Sequence, residues 1–274
     1  MYSSLTIIKN SRHSGRLVGT HQKLYKVSRR LFNKIAPKKP KFPSEQDILY
    51  FEGSRGPDGI KRKSPGVDEP ISAINPDKDD GELMRTMLDH QYNLRVALAE
   101  QNTVRAAFEA AWLAHVVTDG LTPAHHYPFD TLIDEMMGEM EYKKLFGAQV
   151  KGIMRGRNFA EATRNNWLYW GAGGVMSKHI AFELGVAYVV AAQSIKSLTP
   201  KLSRVDPASV NLKKEFNKAL KKIAALDMYG RFLKEGWTTQ LAIEARSILA
   251  PEIVRLVTLA WLSGLVPPTK EKQQ

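Results

Sequence analysis

The chain has 274 residues, of which 43% are hydrophobic and 25% are charged, and this composition excludes collagen, a wholly disordered chain and a disulfide scaffold. The absence of cysteine also excludes cysteine-ligated metal sites and thiol nucleophiles. The net charge of +12 is concentrated in residues 1–66, which hold 15 Lys and Arg against four Asp and Glu. A local basic excess favours an anionic partner, either nucleic acid or an acidic membrane surface, and the simpler alternative is a solvated face.

In chain order, residues 1–18 are expected to form a loose basic leader. A helix over residues 21–35 is predicted to end before Pro37, and the proline- and glycine-rich residues 37–81 are expected to be mostly loop. Apolar residues at helical spacing follow, so the remainder is predicted to be helical. The helices are expected over residues 82–98, 104–119, 131–145, 175–198, 207–226, 231–249 and 251–265.

No strand-like alternation occurs, so the sequence predicts a single all-α domain over residues 19–266, with a tail at 267–274. The longest apolar run, residues 185–192, is far shorter than the ~20 residues of a membrane span, and no transmembrane segment is expected. The N-terminal apolar stretch is too short for a signal-peptide core, which favours a cytoplasmic location with peripheral membrane association as an alternative.

Two pairs of chemically informative residues stand at helical spacing. His115 and Asp119 are four residues apart and so project from one helix face, and His179 and Glu183 repeat this spacing. Pro123 prevents the first helix from resuming, which allows His125 to turn back towards the same place. Imidazole and carboxylate ligands from two helices suit zinc or a similar divalent ion. The alternative is a metal-free protein with buried histidine–carboxylate pairs.

These residues resemble a known family, the superfamily of zinc-dependent phospholipases C and single-strand nucleases, and in particular its phospholipase branch. The segment from His115 through Asp119 and Pro123 to His125 resembles the core motif, and His179-Ile-Ala-Phe-Glu183 is similar to the element that follows it. Two further elements are similar to the branch's remaining ligand motifs, namely Gly19-Thr20-His21 and the Gly53-Ser54 loop that reaches Pro57-Asp58.

The resemblance implies an all-helical fold around two or three clustered zinc ions, with another divalent metal as the alternative. It assigns one ion to His125, His179 and Glu183, a second to Asp58, His115 and Asp119, and a third to His21 and Asp119. Asp58 and Asp119 are the implied catalytic carboxylates. Hydroxide generated on the metal would then attack a phosphodiester.

Two regions depart from the family pattern. Ser72 stands where the family has a histidine before a turn like Asn75-Pro76-Asp77, and we expect His90 to replace it. His90 and His115 are equally far from the predicted helix connection near residues 101–103, so they should face each other across the hairpin. The second region is an insertion expected at residues 127–174, either a lid, a substrate wall or a decoration. Its Trp167, Tyr169 and Trp170 suit either a substrate pocket or the core.

We therefore expect a zinc-dependent, phospholipase C-like phosphodiester hydrolase that acts on phospholipid or another phosphodiester. One alternative is a nuclease for single-stranded nucleic acid. Another, from a different class, is a helical binding or scaffold protein that keeps metal for stability and does not turn over substrate.

Overall fold

The structure is a computed structural model that describes residues 19–37, 41–52, 55–57, 74–77, 81–126, 156 and 158–268. Every regular element in these ranges is helical, which confirms the all-α prediction. The expected leader, the helix at 131–145, Asp58 and the end of the tail lie outside the described residues. The helices are α1 Thr20–Ile35, α2 Glu45–Tyr50, α3 Glu82–Ala99, α4 Thr103–Leu121, α5 Phe159–Trp170, α6 Val175–Ala191, α7 Ile195–Leu198, α8 Leu212–Ala224, α9 Met228–Glu235, α10 Thr239–Glu244 and α11 Ala250–Ser263.

The central helix is α4, which is buried along most of its length as its apolar composition predicts. Asn102 caps its first turn by accepting a hydrogen bond from the backbone N–H of Arg105. Helix α3 packs against α4 as an antiparallel hairpin, and α11 crosses both α4 and α1. The indole Nε1 of Trp261 on α11 donates to the backbone oxygen of Ala110 at 2.9 Å, which fixes α11 against the middle of α4.

Several helix boundaries differ from the prediction because of local backbone requirements. The predicted helix at 175–198 is two helices, α6 and α7, and Ser194 caps the second. The one at 231–249 is interrupted at Gly236, whose φ of 72° lies in the left-handed region that favours glycine. It resumes as α10, and a π turn, Ala245–Leu249, joins α10 to α11. Helices α2 and α5 were not expected, since both lie in segments assigned to loop or insertion.

Helix α8 carries a row of lysines on its outer face. Leu212, Phe216 and Leu220 are buried on the opposite side. The basic helix predicted at 207–226 therefore has a solvated cationic face. Its first residues form a short 3-10 turn, Pro207–Ser209, and the helix itself begins only at Leu212.

One described stretch, Phe159–Ala191, meets the length and composition criterion for a membrane-spanning helix, with a mean hydropathy of 1.2 over its best window. Only 28% of that window is buried. The turn at residues 171–174 divides the stretch into α5 and α6, and α6 packs against α1, α9 and α10. Length and apolar composition alone do not separate a membrane span from a helix of the folded domain.

Gly120 lies within α4 and does not end it, because the helix continues to Leu121 and Thr122 is its C-cap. A Cβ at this position would lie 2.6 Å from the ring of Phe216 and 2.9 Å from the side chain of Leu83. Both neighbours are fully buried. The glycine therefore serves close packing between α4, α8 and α3, next to Asp119.

This packing predicts the effect of Gly120→Ala. The added methyl group should lower the free energy of unfolding by about 1–3 kcal/mol, the usual range for overpacking, despite the better helix propensity of alanine. Urea unfolding of metal-free protein measures the change. The control is Gly173→Ala, since a Cβ there meets no atom within 4 Å. An unchanged midpoint for Gly120→Ala would contradict the close-packing role.

Candidate metal centre

The site is built around the carboxyl-terminal end of α4. His115 and Asp119 lie one turn apart on this helix, and both are buried. A short 3-10 turn, Pro123–His126, follows the helix and turns His125 inward. The backbone N–H of His125 donates to the carbonyl of Thr122, and its own carbonyl accepts from Ile74. Three chemically active side chains thus come from eleven consecutive residues.

The first group of side chains, called here the His115 cluster, consists of His21, Glu52, His115 and Asp119. Glu52 Oε1 lies 3.2 Å from His115 Nδ1 and 3.4 Å from His21 Nδ1. On the other side of both rings, Asp119 Oδ2 lies 3.1 Å from His115 Nε2, and Asp119 Oδ1 lies 3.4 Å from His21 Nε2. The two imidazoles are therefore held between two carboxylates.

The His115 cluster is closed to solvent, since its side chains are between 0% and 3% exposed. The second oxygen of Glu52, Oε2, is buried and has no hydrogen-bond partner among the residues that the structure describes. A buried carboxylate oxygen without a partner is energetically costly, and a bound cation would compensate it. This orphaned oxygen fits a metal ion coordinated by Glu52, His21 and His115, whose ligand atoms lie within 4.8 Å of one another.

The second group, called here the His179 cluster, consists of His125, His179 and Glu183. Glu183 Oε1 lies 3.1 Å from Nε2 of His125 and 3.1 Å from Nε2 of His179. Helix α6 supplies His179 and Glu183 from adjacent turns, which is the spacing that the sequence indicated. The His179 side chain is 15% exposed, so this cluster is more open than the first. Its donors also meet the geometry for a metal ion.

The electrostatics of both clusters favour charged carboxylates beside imidazoles. Burial raises the pKa of Glu52, but His115 and His21 outweigh it and lower that pKa to about 2. Burial likewise opposes ionisation of Asp119, yet its pKa lies well below the ordinary value, and His115 and His125 contribute to this lowering. Burial also opposes ionisation of Glu183, yet its pKa lies well below the usual range, and the hydrogen bonds from His125 and His179 contribute to this lowering. Burial lowers the pKa of His125, which leaves its ring ready to bind metal in the neutral form.

Both clusters have the donor chemistry of zinc sites, namely imidazole nitrogen and carboxylate oxygen without thiolate. The structure brings together seven of these side chains, His21, Glu52, His115, Asp119, His125, His179 and Glu183. Six of them were proposed from the sequence. The helix α4 and its following turn connect the two clusters through Asp119 and His125.

Glu52 was missed by the sequence analysis. The expected carboxylate was Asp58, which lies outside the described residues. Glu52 directly precedes the Gly53-Ser54 loop on which that expectation rested, so an acidic residue beside the motif was the available signal. Its partner His115 is 63 residues away along the chain, and no local sequence pattern predicts such a contact.

The structure places His90 beside Glu109 and Trp112 of α4. Its Nδ1 lies 2.6 Å from Oε2 of Glu109, and its ring contacts Trp112. Glu109 also pairs with Arg105. These partners stand about one to two helical turns nearer the hairpin connection than His115 does. His90 belongs to neither metal-capable cluster in the part of the chain that the structure describes.

His126 supports the turn next to the site. Its Nε2–H donates to the backbone carbonyl of Gly120 at 2.9 Å, which ties the 3-10 turn to the end of α4. Burial lowers the pKa of His126 to about 4, against the opposing effect of the carbonyl. Of the aromatic residues proposed for a substrate pocket or the core, Trp167 is 70% and Trp170 is 40% exposed, so these two do not belong to the core.

No protein-family model, curated protein or solved structure matches this chain. The geometry of the two clusters is therefore the direct basis for inferring chemistry.

The lowered pKa of Glu52 predicts a pH dependence of the metal-free protein. The folded value of about 2 lies below the ordinary 4.5, so ionised Glu52 stabilises the fold above pH 4.5. This contribution should be lost as the pH falls from 4.5 towards 2. Glu52→Gln should flatten the fall of unfolding free energy in that window, measured by urea unfolding after chelation. The exposed Glu235→Gln serves as control, and equal slopes for both variants would contradict the assignment.

Metal removal is expected to destabilise the fold. An ion that binds only the folded chain adds about 2.7 kcal/mol when free metal exceeds its Kd 100-fold. A chelator should therefore lower the melting temperature of the wild type, and a His125→Ala, His179→Ala double variant should show a smaller shift. Equal shifts would argue against metal at the His179 cluster. Absence of zinc, manganese and iron from protein purified without chelator would argue against metal at either cluster.

Proposed function

We propose that the chain is a metal-dependent phosphodiester hydrolase of the phospholipase C-like type. The observation that carries the proposal is the pair of adjoining histidine–carboxylate clusters at the end of α4. Two cation sites beside each other suit the transfer of a phosphoryl group, whose transition state concentrates negative charge. The resemblance of the segments around His115, His179 and His21 to the zinc phospholipase and nuclease superfamily supports the same conclusion.

The residues of both clusters would bind metal. His21, Glu52, His115 and Asp119 would hold metal in the closed cluster, and His125, His179 and Glu183 would hold it in the more open one. Zinc bound at such donors lowers the pKa of water and neutralises phosphate charge. Asp119 contacts both imidazoles of the first cluster and lies close enough to His125 to influence its charge. It therefore holds the donors of the first cluster in place and adds negative charge near the second.

The substrate class that fits best is a phospholipid or a similar phosphodiester. The partial exposure of His179 gives a substrate access to the second cluster, whereas the first is closed. The basic excess in residues 1–66 suits an anionic surface. A nuclease for single-stranded nucleic acid has the same electrostatic support, and comparison of lipid and nucleic-acid substrates separates the two.

A second candidate function is a metal-stabilised binding or scaffold protein without turnover. The complete burial of the His115 cluster favours it, because structural metal sites are closed whereas catalytic ones keep an open position. In this case both clusters would hold the fold together from separated segments. Metal content is the same in both proposals, and hydrolysis of simple diesters distinguishes them.

Asp119→Asn tests the enzymatic proposal. Loss of the carboxylate should remove several kcal/mol of transition-state stabilisation, and therefore lower kcat/KM by about 100-fold or more. The assay uses an activated phosphodiester and a phosphocholine ester with zinc-loaded protein. The exposed Asp89→Asn on α3 should retain full activity. Wild-type protein that holds metal but is inert on lipid, single-stranded DNA, RNA and activated diesters would instead support the scaffold.

A further inference from the structure

The helical pair α5 and α6 exposes an unusual amount of apolar surface. Five of the nine exposed large hydrophobic side chains among the described residues lie on it, and three of these are exposed by 70% or more. The five are Phe159, Trp167, Trp170, Leu184 and Tyr188. Soluble proteins rarely leave so many neighbouring apolar side chains in water without a partner for them.

On α6 the exposed residues form one stripe. Ala181, Leu184, Tyr188 and Ala191 recur every three or four positions and are exposed, whereas Phe182, Glu183, Val186 and Val190 are buried. Trp237 packs closely against Gly185 and donates its indole N–H to the carbonyl of Ala181. The helix is thus fixed to the fold on one side and presents an apolar stripe on the other.

Helix α5 has even less contact with the fold. Asn165 is its one buried residue, and Phe159, Thr163 and Trp167 lie on its exposed side. Among the described elements it packs mainly against α6. Aromatic side chains on a surface helix, as opposed to aliphatic ones alone, are typical of the boundary between lipid headgroups and acyl chains.

We propose that the exposed faces of α5 and α6 dock the protein on an anionic phospholipid bilayer, with the aromatic side chains inserted at the headgroup level. Arg164, Lys178 and Lys196 provide cations on or next to the hairpin, against one surface carboxylate, Glu161, since Glu183 is buried. The net charge of +12 attracts an anionic surface and repels a second copy of the chain. The contacts of α6 with the fold hold the helix on the bilayer surface and not across it.

Docking in this manner would leave the His179 cluster one helix diameter, about 10 Å, from the lipid, because Glu183 lies on the buried face of α6, opposite the exposed stripe. The docking surface itself does not depend on the proposed hydrolase function. Vesicle binding without hydrolysis and hydrolysis without vesicle binding are therefore separate outcomes.

The test is sedimentation with vesicles of phosphatidylcholine, with and without phosphatidylserine. Wild-type protein should bind the phosphatidylserine vesicles more tightly. A Phe159→Ser, Trp167→Ser, Tyr188→Ser variant should lose at least about tenfold in affinity, since three large apolar side chains leave the lipid. A Tyr50→Ser, Tyr92→Ser, Val104→Ser variant is the matched control, because these side chains are at least half exposed and lie on α2, α3 and α4.

Three outcomes would overturn the proposal. Equal affinity of both triple variants would show that the hairpin does not contact lipid. A wild-type dimer that the hairpin variant converts to monomer, without vesicle binding, would assign the surface to a second copy. A wild-type monomer that ignores both kinds of vesicle would assign it to no lipid at all.

Discussion

Three carboxylates, Glu52, Asp119 and Glu183, lie inside an apolar helical fold, and each must be compensated there. An isolated carboxylate in such surroundings is strongly unfavourable, whereas one held between imidazoles remains charged. The structure provides a histidine pair for each of Glu52 and Glu183, and Asp119 contacts the same pair as Glu52. The side chains of a cluster are therefore interdependent, since removal of one leaves a buried partner without its counter-charge.

Helix α4, which carries His115 and Asp119, lies at the centre of the described helices. Its alanines, among them Ala106, Ala110 and Ala114, allow neighbouring helices to approach closely, and Gly120 extends this close approach to the level of the site. Its candidate ligands, His115 and Asp119, lie in the last turns, where α1, the segment directly after α2, and α6 supply the opposing ligands. The packing around the alanines of α4 therefore affects the position of His115 and Asp119, because all of these residues belong to one helix.

Contacts between residues close together in the chain could be predicted from the sequence, whereas contacts between distant residues could not. The pairs His115–Asp119 and His179–Glu183 are local, so helical spacing was sufficient to find them. The contact of Glu52 with His115 depends on how α2 is folded against α4, and periodicity does not report it. His90 pairs with Glu109, 19 residues further along the chain, and such a contact depends on the register of the α3–α4 hairpin, which helical spacing alone does not report. Gly236 and Ser194 divide helices that the apolar spacing predicted to be continuous, because the hydrophobic pattern alone does not locate a break.

One backbone contact, between Ile74 and His125, fixes the position of the chain that follows Glu52 at a second point. The N–H of Ile74 donates to the carbonyl of His125 at 3.0 Å, and Glu52 is anchored between His21 and His115. The chain between Glu52 and Ile74 therefore starts at one cluster and ends at the other. Loop-closure entropy rises slowly with the number of residues between two fixed points, by only about 0.6 kcal/mol for each doubling. A change in the number of residues between Glu52 and Ile74 should accordingly cost little stability and leave Glu52 and the turn that carries His125 in place.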